Sequence, residues 1–359
     1  MPTQGRQIIG LDLVRLGAAG MVMLFHLGNI GPLKAWTWWG WVGVPIFFVL
    51  SGFVISYSAE TASAGQFLRG RLLRLAPGIW ICGTVTLAGW LIVGGDDMVV
   101  RRYVDTITLW PWGPWIDGVY WTLPIEVAFY LFVFALLWVR AFDRAIIAFA
   151  ALASISLGYW LVQLAAQRWP APTWATALPG RDAQILLLEQ GCYFALGGAM
   201  WLIFRRGPNL PRVAVALIGY LGGALQCAFI ARAFSATSPL AVPEGVFLLG
   251  SLLVAVAIWH RAAIDSRLGR FAVPIRVAGL ATYPFYLLHD DAGMMVRDAL
   301  TPLGAPQWAA VGAAALAAVA ASVAVTLVAE RPVRAMLNWL LGLATRRGNL
   351  QPAAQAEPL

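Results

Sequence analysis

The sequence predicts an all-α membrane protein, a polytopic bundle of about ten transmembrane helices. Its 359 residues are 60% hydrophobic and only 12% charged, about half the charged fraction of a soluble domain, and the mean hydropathy is +0.74. Apolar stretches long enough to cross a bilayer recur along most of the chain. They lie at 8–28, 40–58, 77–95, 119–139, 145–163, 183–204, 213–231, 243–259, 272–292 and 307–329.

The distribution of positive charge supports this topology. Most of the 25 Lys and Arg residues fall in alternate connecting loops, and the positive-inside rule then places both termini in the cytoplasm. The net charge of +8 therefore reflects membrane topology and does not predict nucleic-acid binding. We expect one membrane domain, 1–347, and a disordered cytoplasmic tail, 348–359. We also expect the first segment to be retained, because Asp12 and Arg15 interrupt the core of a would-be signal peptide.

The three cysteines do not predict a disulfide or a metal centre. Cys82, Cys192 and Cys227 each fall inside an apolar stretch, and their spacing matches neither a disulfide framework nor a zinc site. We expect them to be small core residues, and we expect no metal.

The first apolar segment carries three ionisable residues, Asp12, Arg15 and His26. In a helix Asp12 and Arg15 are one turn apart, and His26 returns to within about 20° of Arg15 after eleven residues. Because a charge at mid-bilayer costs at least about 2.5–3.5 kcal/mol, one such stripe predicts a seam that faces protein or water. His26 is either hydrogen-bonded within the bundle or a general base. Asp12 and Arg15 form an ion pair, or Arg15 holds an anionic or carbonyl group of a ligand.

Three arginines precede the third predicted helix. Residues 68–77 read LRGRLLRLAP and contain Arg69, Arg71 and Arg74. The simplest interpretation is a positive-inside anchor. Arg71 and Arg74 are also one turn apart and can share a face, an arrangement that suits a polyphosphate or a lipid headgroup.

Two acids lie within later apolar segments. Glu126 stands about two turns into the fourth segment. It either pairs with an arginine or orients His26 as the third member of a triad does. Glu189, in the sixth segment, has no partner that the sequence can assign.

The ninth segment ends in a second histidine. His289 is expected level with His26, and its role is equally open between structure and function. We expect Pro284 to kink or break this helix and Asp290 and Asp291 to be solvated cap residues.

A loop rich in tryptophan lies on the predicted outer side. It reads WPWGPW at 110–115 and ends at Trp115, with Trp121 close behind. The tryptophans form an interfacial belt, or they stack against the apolar faces of sugar rings.

Six motifs in order resemble the acyltransferase-3 family, integral-membrane O-acyltransferases that modify cell-surface and secreted carbohydrates. The motifs are LDLVRLGAAGMVMLFH with Arg15 and His26, VGVPIFFVLSGFVIS at 42–56, RGRLLRLAP at 69–77, WTLPIEVAFYL at 121–131, YPFYLLH at 283–289 and ERP at 330–332.

The resemblance implies a membrane enzyme that uses acyl-CoA, with acetyl-CoA as the default donor. The coenzyme would bind on the cytoplasmic side, with its phosphates near the cluster Arg69, Arg71 and Arg74. His26 would be the catalytic residue, as general base or acyl carrier, with Arg15 beside it and Glu126 in support. We expect this chain to represent the form of the family that lacks an additional hydrolase-like domain.

The resemblance specifies the acceptor less closely than the acyl donor. The expected acceptor is a hydroxyl of an exopolysaccharide, O-antigen or similar carbohydrate at the bacterial inner membrane. Its candidate binding residues are Asp12, Trp115, Trp121 and His289. The sequence departs from the usual family pattern at Thr122 to Pro124 and at Asp290 and Asp291.

Two other classes compete with the enzyme. A flippase or transporter for a lipid-linked saccharide would also carry intramembrane charges, but transporters usually show internal repeats, and none is evident in the sequence. A structural scaffold would have no use for the polar stripe on the first helix.

Overall fold

The computed structural model describes residues 8–167, 169, 180–234 and 239–348, and these residues form helices and connecting turns without a strand. Fourteen α-helices in the described residues have eight or more residues: α1 Ile9–Leu27, α2 Gly43–Ala59, α3 Ala64–Val93, α4 Val99–Ile107, α5 Thr122–Trp138, α6 Ala145–Ala166, α7 Gly191–Arg206, α8 Leu210–Phe234, α9 Ala241–Trp259, α10 Arg261–Leu268, α11 Ala272–Leu288, α12 Asp291–Leu300, α13 Gln307–Ala324 and α14 Glu330–Gly348. Of the predicted disordered tail, 348–359, Gly348 is the last residue of α14, and the residues from 349 onward lie outside the described part of the chain.

The predicted all-α membrane bundle is confirmed. Within the described residues, nine helical segments are long and apolar enough to cross a membrane, and they coincide with nine of the ten predicted stretches. The remaining stretch, 183–204, corresponds to α7, which has only 16 residues. The cytoplasmic location of both termini stays a prediction.

Helix α7 is the centre of the bundle. All twelve residues from Gly191 to Leu202 are buried, and the helix packs against α2, α6 and α8. A Cβ on Gly197 would come within 2.0 Å of the Val49 carbonyl oxygen, and one on Gly52 within 2.3 Å of that of Phe194. Glycine on both sides therefore lets α2 and α7 cross almost backbone to backbone.

Helix α3 begins earlier than the sequence indicates. The Ser63 hydroxyl oxygen accepts a hydrogen bond from the backbone N–H of Gln66, and the Gln66 side-chain oxygen accepts one from the backbone N–H of Ser63. These two bonds form a complete capping box. This cap starts the helix at Ala64. The arginines at 69, 71 and 74 consequently lie inside α3, and the prediction that they precede the third helix is wrong.

Helix α1 packs against α2, α9 and α11. Gly279 of α11 makes this contact close, because a Cβ there would lie 2.7 Å from Asp12 Cγ. Pro284 lies inside α11, which continues to Leu288; the helix is therefore not broken there, and a kink at Pro284 stays a prediction. A proline removes one helical hydrogen bond, a loss that packed transmembrane helices tolerate.

Candidate functional site

Two histidines meet near the C-terminal ends of α1 and α11. His26 Nδ1 lies 2.9 Å from His289 Nε2, and His289 Nδ1 lies 2.8 Å from the Tyr286 carbonyl oxygen. Because a carbonyl only accepts, His289 carries its proton on Nδ1 and accepts at Nε2. His26 therefore donates from Nδ1. Its Nε2 is left with a free lone pair, the form required of a general base.

An acid stands near that free nitrogen. Asp290 Oδ2 lies 3.9 Å from His26 Nε2, and Asp290 is only 7% exposed. The expectation that Asp290 is a solvated cap is therefore wrong, while Asp291 is half-buried. Burial raises the pKa of Asp290 to about 6.

Asp290 belongs to a group of three carboxylates with Asp117 and Asp291, whose oxygens lie within 4.8 Å of one another. Asp117 accepts hydrogen bonds from the backbone amides of Val119 and Asp291, each at 3.0 Å. These bonds give Asp117 a structural role in joining the start of α5 to the start of α12. The group has the composition of a cation site, and the expectation of no metal stays a prediction.

Glu126 does not occupy the position expected of a triad member. Its Oε1 accepts hydrogen bonds from Ser51 at 3.3 Å and Tyr130 at 2.6 Å. His289, not Glu126, takes the place beside His26 Nδ1. The sequence missed this pairing because the two histidines are 263 residues apart.

A cavity of about 580 Å³, here called the arginine cavity, lies beside Glu126. It is lined by more cations than acids: Arg15, Arg71, Arg74, Arg276 and Arg334 against Asp12 and Glu126. Arg71 Nε and Arg74 Nη1 are buried and have no hydrogen-bond partner among the described residues. Unsatisfied guanidinium donors in a cationic cavity indicate an anionic ligand.

The sequence identified part of this cavity. Arg71 and Arg74 line it as predicted, but Arg69 instead donates to the Asn338 side chain at 2.8 Å and links α3 to α14. Arg276 and Arg334 were missed. Their only signal was membership of the cationic loops, and the sequence does not show which loop arginines turn inward.

The polar stripe on α1 reaches both halves of the site. Arg15 Nη1 lies 3.1 Å from Asp12 Oδ1, as the predicted ion pair requires, and both residues line the arginine cavity. Binding of a ligand group by Arg15 or Asp12 stays a prediction.

A second cavity of about 170 Å³, here called the histidine cavity, contains His26 in its wall. Trp121 also lines it. Trp115 does not; its ring lies 4.7 Å from the Arg181 guanidinium. The two cavities adjoin, because Val44, Phe48 and Tyr286 line both. The arginine cluster and His26 therefore line neighbouring cavities.

Glu189, to which the sequence could not assign a partner, has hydrogen-bond donors for its carboxylate near the histidine cavity. It lies in the turn before α7, where its Oε2 accepts hydrogen bonds from Gln184 at 3.2 Å and Gln190 at 3.3 Å. We therefore assign Glu189 a structural role.

These features define a multi-pass membrane protein in which one histidine of a hydrogen-bonded pair lines one of two adjoining cavities. In a comparison with sequence models of protein families, the family described as an acyltransferase domain matches residues 8–327 of this chain. The chain therefore belongs to the acyltransferase-3 family and is a membrane acyltransferase.

Three curated relatives are similar to this chain. A putative membrane-bound transacylase, BcsY, of Komagataeibacter xylinus is 27% identical over 310 residues, 78% of this chain and 71% of the relative. Peptidoglycan O-acetyltransferase OatA of Listeria monocytogenes is 26% identical over 79% of this chain and 49% of the relative. Nodulation protein 10 of Rhizobium leguminosarum is 31% identical over 40% of this chain and 49% of the relative. The matches thus span about half the length of the latter two relatives. No solved structure matches the chain significantly.

Proposed function

We propose that this protein transfers an acyl group, with acetyl as the simplest case, from cytoplasmic acyl-CoA to a hydroxyl of a carbohydrate on the other side of the membrane. The carrying observation is that the arginine cavity and the histidine cavity share the wall formed by Val44, Phe48 and Tyr286. One relative is named as a peptidoglycan O-acetyltransferase, which supports a carbohydrate acceptor.

The arginine cavity suits the coenzyme end of the donor. Its five arginines outnumber its two acids, and the phosphates of CoA carry the complementary charge. An extended pantetheine arm reaches about 15 Å at peptide-like spacing. The eleven residues from Arg15 to His26 rise about 16 Å along α1, so a thioester anchored at the arginines can extend to the level of His26.

His26 is proposed as the general base. As the acceptor oxygen attacks the thioester carbonyl carbon, its proton passes to His26 Nε2. The carbon–sulfur bond then breaks, and the departing thiolate takes the proton back from the imidazolium. The free Nε2 lone pair fits this role, and Asp290 at 3.9 Å can stabilise the transient positive charge.

An acyl-His26 intermediate is the second mechanism for the same overall reaction. In that case His26 Nε2 attacks the thioester first, CoA leaves, and the acceptor hydroxyl then takes the acyl group. A burst of CoA release equal to the amount of enzyme, or a trapped acyl-histidine, would distinguish it from direct transfer.

Purified protein in detergent supplied with acetyl-CoA tests the proposal. We expect CoA release by the wild type and a loss of about 10²–10⁴-fold in His26→Ala, with the thermal unfolding curve unchanged. In cells, a deletion strain should lose acyl groups from a surface glycan, measured by mass spectrometry, and only the wild-type gene should restore them. Near wild-type transfer by His26→Ala would refute the mechanism, and a folded wild type that releases no CoA even with a carbohydrate acceptor present would refute the donor.

A further inference from the structure

Three residues that line the histidine cavity each carry a buried polar atom without a partner. Trp41 Nε1, Gln190 Oε1 and Gln226 Oε1 have no hydrogen-bond partner among the described residues, and all three residues line this cavity. They are only 6%, 2% and 2% exposed. Buried polar groups are almost always hydrogen-bonded, so three exceptions around one cavity indicate that a ligand satisfies them.

The rest of the wall is largely aromatic. Phe25, Phe48, Trp121 and Phe234 contribute to it, together with two tyrosines and four aliphatic residues. Phe234 is 54% exposed, and its ring packs 5.9 Å from Trp41, which places a mouth at the C-terminal end of α8. Aromatic faces with a few convergent polar atoms match a ring that has apolar C–H faces and hydroxyl edges.

The polar atoms match hydroxyl groups in particular. The indole offers a donor and the two amides offer acceptors, and a hydroxyl can satisfy either kind because it both donates and accepts. A saturated acyl chain would leave all three atoms unpaired. The size is also restrictive: about 170 Å³ is roughly six times the share of one liquid water molecule, far smaller than the arginine cavity.

We propose that the histidine cavity is a subsite for one pyranose ring of the acceptor, whose hydroxyl groups bond to Trp41, Gln190 and Gln226 while His26 faces the hydroxyl that is acylated. This inference rests on the proposed function and gives it a substrate class: a sugar bound one ring deep, with the rest of the glycan outside the mouth at Phe234.

The test separates donor chemistry from acceptor binding. Purified protein receives acetyl-CoA with and without a panel of methyl glycosides, namely the glucoside, galactoside, mannoside and N-acetylglucosaminide. Release of CoA and acetyl transfer to the glycoside are measured separately. We expect Gln226→Leu and Trp41→Phe each to reduce transfer about 5- to 10-fold, through a higher KM for the glycoside.

Thr86→Val is the matched control. Thr86 Oγ1 is also buried and unpartnered, but Thr86 does not line the histidine cavity, so this variant should transfer like the wild type. The Gln226→Asn variant keeps an amide and should retain more transfer than Gln226→Leu. This difference keeps the test valid if one variant folds poorly.

Each other outcome has a definite meaning. If wild-type protein does not use acetyl-CoA, the proposed function fails first. If it releases CoA but neither acylates any of the glycosides nor is inhibited by them, the sugar subsite is refuted. Unchanged glycoside KM values in the Gln226 and Trp41 variants also refute it. Altered acyl-chain preference in these variants would assign the cavity to the donor instead.

Discussion

At the scale of single residues, the His26–His289 pair explains how a histidine in an apolar helix is held in one tautomer. The Tyr286 carbonyl fixes His289, and His289 in turn fixes His26. The sequence predicted His26 from its place on the polar stripe, and it placed His289 at the same level. It could not reveal the hydrogen bond between them, because helix rotation and packing decide which side chains meet.

Replacement of His289 tests this chain of hydrogen bonds. His289→Phe keeps an aromatic ring but removes the acceptor for His26 Nδ1, so we expect acetyl transfer to fall roughly 10- to 100-fold, less than when His26 itself is replaced. His289→Gln offers an amide oxygen and should recover part of the rate. The measurement is kcat for transfer with saturating acetyl-CoA. If kcat falls equally in both variants, His289 contributes only packing.

The two kinds of arginine on α3 provide a second test. Arg74→Gln removes from the arginine cavity a guanidinium whose buried Nη1 has no hydrogen-bond partner among the described residues, and charge-assisted hydrogen bonds are worth about 1.5–3 kcal/mol. We expect the KM for acetyl-CoA to rise roughly 10- to 100-fold. Arg69→Gln is the control, because Arg69 bonds to Asn338 outside the cavity; a similar rise there would show a general charge effect.

At the scale of helices, hydropathy located the segments well but not every boundary. The cap at Ser63 lengthened α3 by more than three turns beyond its apolar stretch. The role of α7 was also hidden, because a short buried helix and a spanning helix have similar apolar composition. Its central position depends on contacts at Gly52 and Gly197 that only the packed bundle defines.

The α2–α7 crossing is therefore expected to be sensitive to one methyl group. Gly197→Ala would place a Cβ 2.0 Å from the Val49 carbonyl oxygen, and we expect a loss of about 1–3 kcal/mol from overpacking. Gly158→Ala in α6, where no atom lies within 4 Å of the added group, should be neutral. Thermal unfolding in detergent compares them, and an equal Tm would contradict the close crossing.

At the scale of the whole molecule, the all-α bundle followed from composition and periodicity alone, whereas the two cavities did not. Cavities form where helices fail to fill the space between them, and that depends on three-dimensional packing. The orientation in the membrane rests on the distribution of arginine and is directly measurable.

Cysteine labelling measures that orientation. The native residues Cys82, Cys192 and Cys227 are fully buried, so an added surface cysteine should dominate the reaction. Trp36 and Leu210 are 78% and 83% exposed. We expect a membrane-impermeant maleimide to label Trp36→Cys in intact cells and Leu210→Cys only after lysis. The reverse pattern would invert the topology and place the arginine cavity outside.

The wall of Val44, Phe48 and Tyr286 between the cavities has a consequence for the energetics of the cell. An enzyme that transfers a group from one side of a membrane to the other must also prevent protons and ions from crossing. In the proposed mechanism, Val44, Phe48 and Tyr286 separate the coenzyme from the sugar, and only the acyl group passes between the two cavities. Substitutions that thin this wall, such as Phe48→Ala, would then be costly for growth even where catalysis survives.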